Sequence, residues 1–244
     1  MKRSILLLGL ALLGLFVLGC MHRHVATTAS GKTVYGEKAA AVERLRAAGD
    51  DLKQLMAAQD SAIPKDVLDS AKCVAVIPDM VKGGFIVGAQ HGRGVATCRT
   101  ATGWSDPAFF VISGGTWGAQ IGLEGVDMTM LIMNDNGMQQ LLSSEFKLGA
   151  GASVAAGPIG RAAQASTDWK FKSEVLVYSR ARGVFAGLDL SGAAIKPDFD
   201  ATVGFYGRDI PASTLLAGKG PNMPDARPFL AAVREASTES RASR

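Results

Sequence analysis

Histidine is scarce in this chain: 244 residues hold three, and two of them, His22 and His24, share one polar stretch, 21–36, that itself contains no cysteine or carboxylate to complete a metal site. A Ser-His-Asp or Cys-His arrangement could draw only on His91, and Gln90-His91-Gly92-Arg93-Gly94 reads as an exposed glycine turn. None of the 29 glycines falls into G-x-G-x-x-G before a helix, G-x-x-x-x-G-K-[ST] or G-x-S-x-G. Acidic residues are scattered. Asp198 and Asp200 are too few for a calcium loop and read as solvated loop residues. The expectation is a protein with no catalytic set, no metal and no cofactor.

Aromatic residues make up 7% and charged ones 20%, against 48% apolar, which excludes a disordered chain and favours a compact, turn-rich fold. No polybasic arm is present: Met21 to Ser70 balances its charges, so nucleic acid is not an expected partner. Only one long apolar run occurs, Ile5 to Leu18, and at about 14 residues it is shorter than the roughly 20 needed to span a bilayer. Cysteine is also rare, at three.

The run is headed by Lys2 and Arg3 and ends in Val17-Leu18-Gly19-Cys20. This arrangement resembles a bacterial lipoprotein precursor. That resemblance implies cleavage before Cys20, acylation of its thiol and amine, and, with Met21 rather than aspartate following, an outer-membrane address facing the periplasm or the surface. Each buried methylene contributes about 0.8 kcal/mol and two chains anchor stably, so acylated Cys20 would hold the protein on a membrane. Loss of Lys2 and Arg3 leaves 24 basic and 22 acidic residues, a charge of +2. Cys73 and Cys98 then remain as an even pair in a compartment that permits disulfides. They form either a bridge between neighbouring strands or two buried thiols.

Residues 20–36 read as a tether and 37–236 as one domain, with a polar tail at 237–244 that the composition leaves disordered. From Glu37 to Gln59, Val42, Leu45, Leu52, Leu55 and Met56 form one helical stripe, opposite a mixed-charge face of Glu43, Arg44, Arg46, Asp50, Asp51 and Lys53 that reads as solvated. Pro64 opens a short helix to Asp69. Strands are expected at 72–77, 84–90, 94–99, 108–113, 116–123 and 126–133, punctuated by glycine turns at 83–84, 91–92 and 114–115. Asn134 or Asp135 caps a helix carrying Met138, Leu141 and Leu142. Strand character returns at 174–178 and 184–190, and a closing helix over 224–236 turns Phe229, Leu230 and Val233 inward. The fold class is therefore α+β: N- and C-terminal helices on a curved, mainly antiparallel sheet, with a partly closed barrel and a sandwich both compatible with the pattern.

Several segments together resemble the SYLF domain. They are Ala71-Lys72-Cys73-Val74-Ala75-Val76-Ile77-Pro78, Lys82-Gly83-Gly84-Phe85-Ile86-Val87-Gly88, Gly92-Arg93-Gly94-Val95, Gly103-Trp104-Ser105-Asp106-Pro107-Ala108-Phe109, Gly118-Ala119-Gln120-Ile121-Gly122, Ala155-Ala156-Gly157-Pro158-Ile159-Gly160-Arg161 and Tyr178-Ser179-Arg180-Ala181-Arg182-Gly183-Val184-Phe185-Ala186-Gly187. The resemblance covers about residues 40–236. It implies binding of membrane phospholipids, with phosphoinositides and other anionic lipids as the ligand class. Some eukaryotic members bind actin, which an exported bacterial lipoprotein is not expected to meet.

Phosphates favour guanidinium forks and backbone amides at glycine turns, which makes Lys82, Arg93, Arg161, Arg180 and Arg182 the candidate head-group residues. The competing reading pairs these bases with Asp79, Glu174 or Asp189. At the level of the whole protein the two alternatives are a non-enzymatic lipid-binding lipoprotein and an envelope lipoprotein that contacts protein partners without specific lipid recognition.

Overall fold

In the computed structural model the described residues are 34–242, apart from 59–61, 85–86, 118–121, 150–152, 160–172, 181–189 and 191. The signal segment, Cys20, the tether up to residue 33, Arg161, Arg182 and the expected strand over 184–189 lie outside them.

Helix α1 (Val34–Ala57) starts the domain, followed by α2 (Lys65–Ser70), with Pro64 at its N-cap position. Four long strands come next: β1 (Cys73–Gly84), β2 (Val87–Thr100), then after the short β3 (Gly103–Trp104), β4 (Ala108–Trp117) and β5 (Gly122–Ile132). Helix α3 (Asp135–Leu141) opens where the Asn134 side chain accepts a hydrogen bond from the Gly137 amide, the cap expected from its sequence. Strands β6 (Phe146–Lys147), β7 (Val154–Ala156), β8 (Val175–Arg180) and β9 (Ala194–Pro197) complete the sheet. Three helices end the chain: α4 (Phe199–Tyr206), α5 (Ala212–Leu216) and, after a 3-10 turn at Pro224–Ala226, α6 (Arg227–Ala242).

Eight strands follow one another as β6-β9-β4-β2-β1-β5-β8-β7, and β3 pairs with β2 off this path. The sheet curls into a half-barrel, antiparallel except for β7 beside β8. An α+β fold with a curved sheet and helices from both chain ends is therefore what the sequence pattern led one to expect.

Three local expectations are overturned. His91-Gly92 and Gly114-Gly115 are not turns. Both pairs lie inside long strands, with His91 opposite Val81 and Ser113, and Gly114 opposite Gln90. Those glycines answer a packing need, because a Cβ on Gly92 would lie 2.6 Å from Ile77 Cγ2, and one on Gly114 would lie 2.7 Å from the Ala193 Cα. Glycine here lets neighbouring side chains and backbone close over the curled sheet. The third change is at the C-terminus, where α6 continues through the expected tail to Ala242.

The apolar stripe of α1 is buried as expected, with Leu45, Leu52 and Leu55 in the core and Val42 and Met56 at its margin. Its polar face is less solvated than the mixed charges suggested, because Arg44 and Asp51 share the 44-48-51-55 row that faces the protein. Helix α4 was not anticipated. It is capped by Asp198, which accepts from the Ala201 amide, and ends at Gly207 in the left-handed conformation (φ 72°). Phe205 and Tyr206 of α4 pack edge-on against Phe109 of β4 and against each other. Cys73 and Cys98 stand opposite one another on β1 and β2 and are joined by a disulfide. Among the described residues no helix is long and apolar enough to cross a membrane.

Candidate functional site

Arg93, expected on a glycine turn, lies in mid-strand beneath α1. Its Nε donates to Asp198 Oδ2 at 2.8 Å, and its second terminal nitrogen donates to Asp198 Oδ1 at 3.0 Å and Glu37 Oε2 at 3.2 Å. Arg44 Nη1 donates to the same Asp198 Oδ2 at 3.0 Å, and its guanidinium lies 5.6 Å from the centre of the Phe109 ring. Asp198 is 5% exposed, which corrects its reading as a solvated loop residue. Burial opposes its charge, but the hydrogen bonds from Arg93 and Ala201, with the charges of Arg44 and Arg93, together hold its carboxyl below the usual range. The four groups fasten α1, β2 and the start of α4 together.

Arg180, at the end of β8, donates to Gln54 Oε1 at 2.6 Å and to Asp127 Oδ2 at 3.3 Å. Lys82 lies near the hairpin end of β1, opposite Gln90 and Glu124. Because β2 alternates its faces without interruption from Val87 to Ala96, Gln90 and Arg93 point to opposite sides. Lys82, Arg93 and Arg180 thus do not converge on one surface. Among the described residues no group of three or more His, Cys, Asp or Glu is placed to hold a metal ion.

A different part of the molecule concentrates the chemistry expected of an anion site. The turn from β2 to β3 and α6 flank an open cleft of about 410 Å3, lined by Arg99, Thr100, Thr102, Trp104, Arg234 and Ser237, with no carboxylate in its lining. The turn owes its shape to Gly103, whose φ of 132° excludes most side chains. Thr100 Oγ1 donates to Gly103 O across it at 3.2 Å.

Arg99 is held rigidly. Its Nε donates to Ala71 O at 2.9 Å, a terminal nitrogen donates to Leu68 O at 3.2 Å, and its guanidinium stacks 4.4 Å from the centre of the Trp104 ring. These carbonyls end α2, where a cation is favoured by the helix dipole. Asp69 at 3.8 Å offsets part of the charge. Arg234 comes from α6, its Nε donating to Leu230 O at 3.0 Å. The Thr100 and Ser237 hydroxyls already donate to Gly103 O and Val233 O, which leaves one positioned guanidinium, one exposed guanidinium, the Thr102 hydroxyl and an indole around a small concavity, a set that suits a phosphate or phosphate ester.

Trp104 was singled out in the sequence as part of the Gly-Trp-Ser-Asp-Pro segment, but neither arginine was. The neighbouring residues of that segment are structural: Cys98 N donates to Ser105 Oγ at 3.0 Å, and Tyr206 Oη donates to Pro107 O at 2.6 Å. Arg99 is one strand turn from Trp104, so that link was accessible from the sequence. Arg234, 135 positions later, required the fold.

A family model described as "Las17-binding protein actin regulator", Ysc84, matches residues 113–236. The yeast (Saccharomyces cerevisiae) "Protein YSC84" is 34% identical over 177 residues, covering 70% of this chain and 37% of its own length. "LAS seventeen-binding protein 3" from the same organism is 34% identical over 166 residues, covering 66% of this chain and 36% of its own. The human "SH3 domain-containing YSC84-like protein 1" is 32% identical over 164 residues, 66% of this chain and 48% of its own. This chain therefore spans between about a third and a half of the length of these relatives.

Proposed function

Because the chain belongs to the Ysc84 family, defined by the SYLF domain, we propose that it is a non-enzymatic, membrane-anchored lipoprotein whose domain binds anionic phospholipid head groups in the cleft between the β2–β3 turn and α6. The observation that carries the reading is that Arg99 and Arg234 line one concavity together with the Thr102 hydroxyl and Trp104, with no carboxylate in its lining. Guanidinium–phosphate hydrogen bonds are charge-assisted and directional, so a fixed Arg99 orients the phosphate while exposed Arg234 closes on it. Cys20 and the segment before it support an outer-membrane anchor, which would keep the cleft near lipid at high effective concentration.

The unacylated chain from Met21 should sediment with vesicles containing anionic lipid at low salt, sediment less as salt rises, and ignore purely zwitterionic vesicles. Absence of sedimentation at low salt overturns the reading. Mass spectrometry of the membrane-extracted protein should find diacylglyceryl-modified Cys20 at the N-terminus, and an intact, unmodified leader would remove the anchor.

A second reading is a lipoprotein that docks protein partners. The names of the relatives support it, since one is a Las17-binding protein and another is named for its SH3 domain. The family description also names an actin regulator, so the comparisons lend nothing to the expectation that actin is not a partner. Phe199, 53% exposed at the start of α4, is an apolar residue available to such a partner. Retained partner binding by a chain with a charge-reversed cleft would favour this second reading.

A further inference from the structure

Helix α1 is fastened to the sheet at two polar junctions whose charge balance differs. Near its start two acids, Glu37 and Asp198, meet two guanidinium groups, Arg44 and Arg93. Near its end Asp51 lies in the field of two further carboxylates, Asp127 and Asp79, and of one guanidinium, Arg180, which is paired with Asp127. This second junction is a relay across four elements. Arg180 of β8 donates to Gln54 of α1 and Asp127 of β5, and Asp127 Oδ1 accepts from the Asp79 amide at 3.1 Å.

Asp79 sits at a bulge in β1, where the register slips against β2 and β5, with φ of 47°, a left-handed conformation rarely adopted by a residue other than glycine. Asp127 therefore holds a strained turn of backbone in place. Asp51 lies above it on the protein-facing row of α1, and its Oδ2 is buried with no hydrogen-bond partner. An unpaired buried oxygen that could carry charge beside two further carboxylates is costly when ionised. The charged groups acting on it are Asp127 of β5, Arg180 of β8, Asp79 of the β1 bulge and Asp50 of its own helix. Burial raises its carboxyl from the ordinary range to about 7, with Asp127 adding to the shift and Arg180 opposing it.

We infer that this junction is a proton-operated latch: an uncharged Asp51 lets the last two turns of α1 lie on the β1 bulge, and its ionisation adds a third negative charge that loosens those turns while the Arg44–Asp198 end stays fixed. The latch is independent of the lipid reading, and either can fail alone.

The test is hydrogen exchange on the whole chain at pH 6 and pH 8, expressed as protection factors so that the intrinsic pH dependence of exchange cancels. Amides of 52–57 should lose protection by up to about tenfold between pH 6 and pH 8, the change that linkage gives for a carboxyl with a folded midpoint near 7, while those of 41–46 change little. Asp51→Asn should abolish the loss, and Asp50→Asn, on the exposed side of the same helix, should retain it. Equal protection at the two pH values in the parent chain, or an unchanged loss in Asp51→Asn, overturns the inference. Should Asp51→Asn fail to fold, carbon-13 titration of the Asp51 carboxyl in the parent chain decides: a midpoint near 7 supports the latch and one below 5 overturns it.

Discussion

Asp51 and Asp198 are partly and almost fully hidden carboxylates on the same side of the sheet, and their surroundings drive them in opposite directions. Asp198 accepts from Arg44, Arg93 and the Ala201 amide, so its folded-state pKa is below the unfolded one. Its contribution to stability is present above the unfolded pKa and is lost as pH falls below about 4. Replacing it with alanine strands Arg44, leaves Arg93 with Glu37 alone and removes the α4 cap, and should cost about 3–5 kcal/mol in denaturant unfolding at pH 7. Asp51 has the reverse sign, because its folded-state pKa of about 7 lies above the unfolded value. Its contribution is full below about pH 4 and is lost as pH rises through 7. Asp51→Asn should therefore stabilise the protein by about 1–2 kcal/mol at pH 8, allowing for solvent screening, and leave it nearly unchanged at pH 4. A melting-temperature profile from pH 4 to 9 checks both the size and the sign.

At the scale of elements, close approach of backbones does much of the fastening. A Cβ on Gly204 of α4 would lie 2.6 Å from Glu37 Cβ and 3.0 Å from the Lys38 amide nitrogen, so α1 and α4 touch through a glycine. Gly204→Ala should destabilise by about 1–3 kcal/mol, because neither backbone can yield without displacing the buried Glu37 from Arg93. A stability unchanged in urea titration would show that α1 can shift outward.

Apolar spacing made α1 and α6 legible in the sequence, and the Asn134 cap and Pro64 did the same for α3 and α2. Helix α4 was not, because Phe199, Asp200 and Thr202 break no rule of a loop and its cap, Asp198, looked like a solvated acid. Glycine pairs 91–92 and 114–115 were misread for a related reason. Glycine marks both a turn and a point of crowding in a curled sheet, and sequence distance does not reveal that Ile77, Met80 and Ala193 crowd those positions.

At the scale of the molecule, one exposed guanidinium, Arg234, and one positioned guanidinium, Arg99, line the same cleft. The Cys73–Cys98 bridge lies next to that cleft through Arg99, closing a loop of 25 residues. Cys98→Ser should lower stability by about 3 kcal/mol and remove the difference between reduced and oxidised melts. Most of the basic residues proposed from the sequence face other tasks: Arg93 and Arg180 fasten α1, and Lys82 stands on another face. A motif can mark where arginine occurs but not which carboxylate the fold brings beside it, as Asp198 beside Arg93 and Asp127 beside Arg180. Arg234→Glu should weaken binding to anionic vesicles about tenfold or more, the loss expected for a charged hydrogen bond worth ~1.5–3 kcal/mol, while leaving the melting temperature close to that of the parent chain.

The most direct measurement is a titration of the isotope-labelled chain with a soluble phosphate head group, followed residue by residue through amide chemical shifts. The account predicts saturable shifts confined to Arg99, Thr100, Thr102, Gly103, Trp104, Arg234 and their immediate neighbours. Shifts centred on Lys82, Arg93 or Arg180, or none at millimolar ligand and low salt, would contradict it.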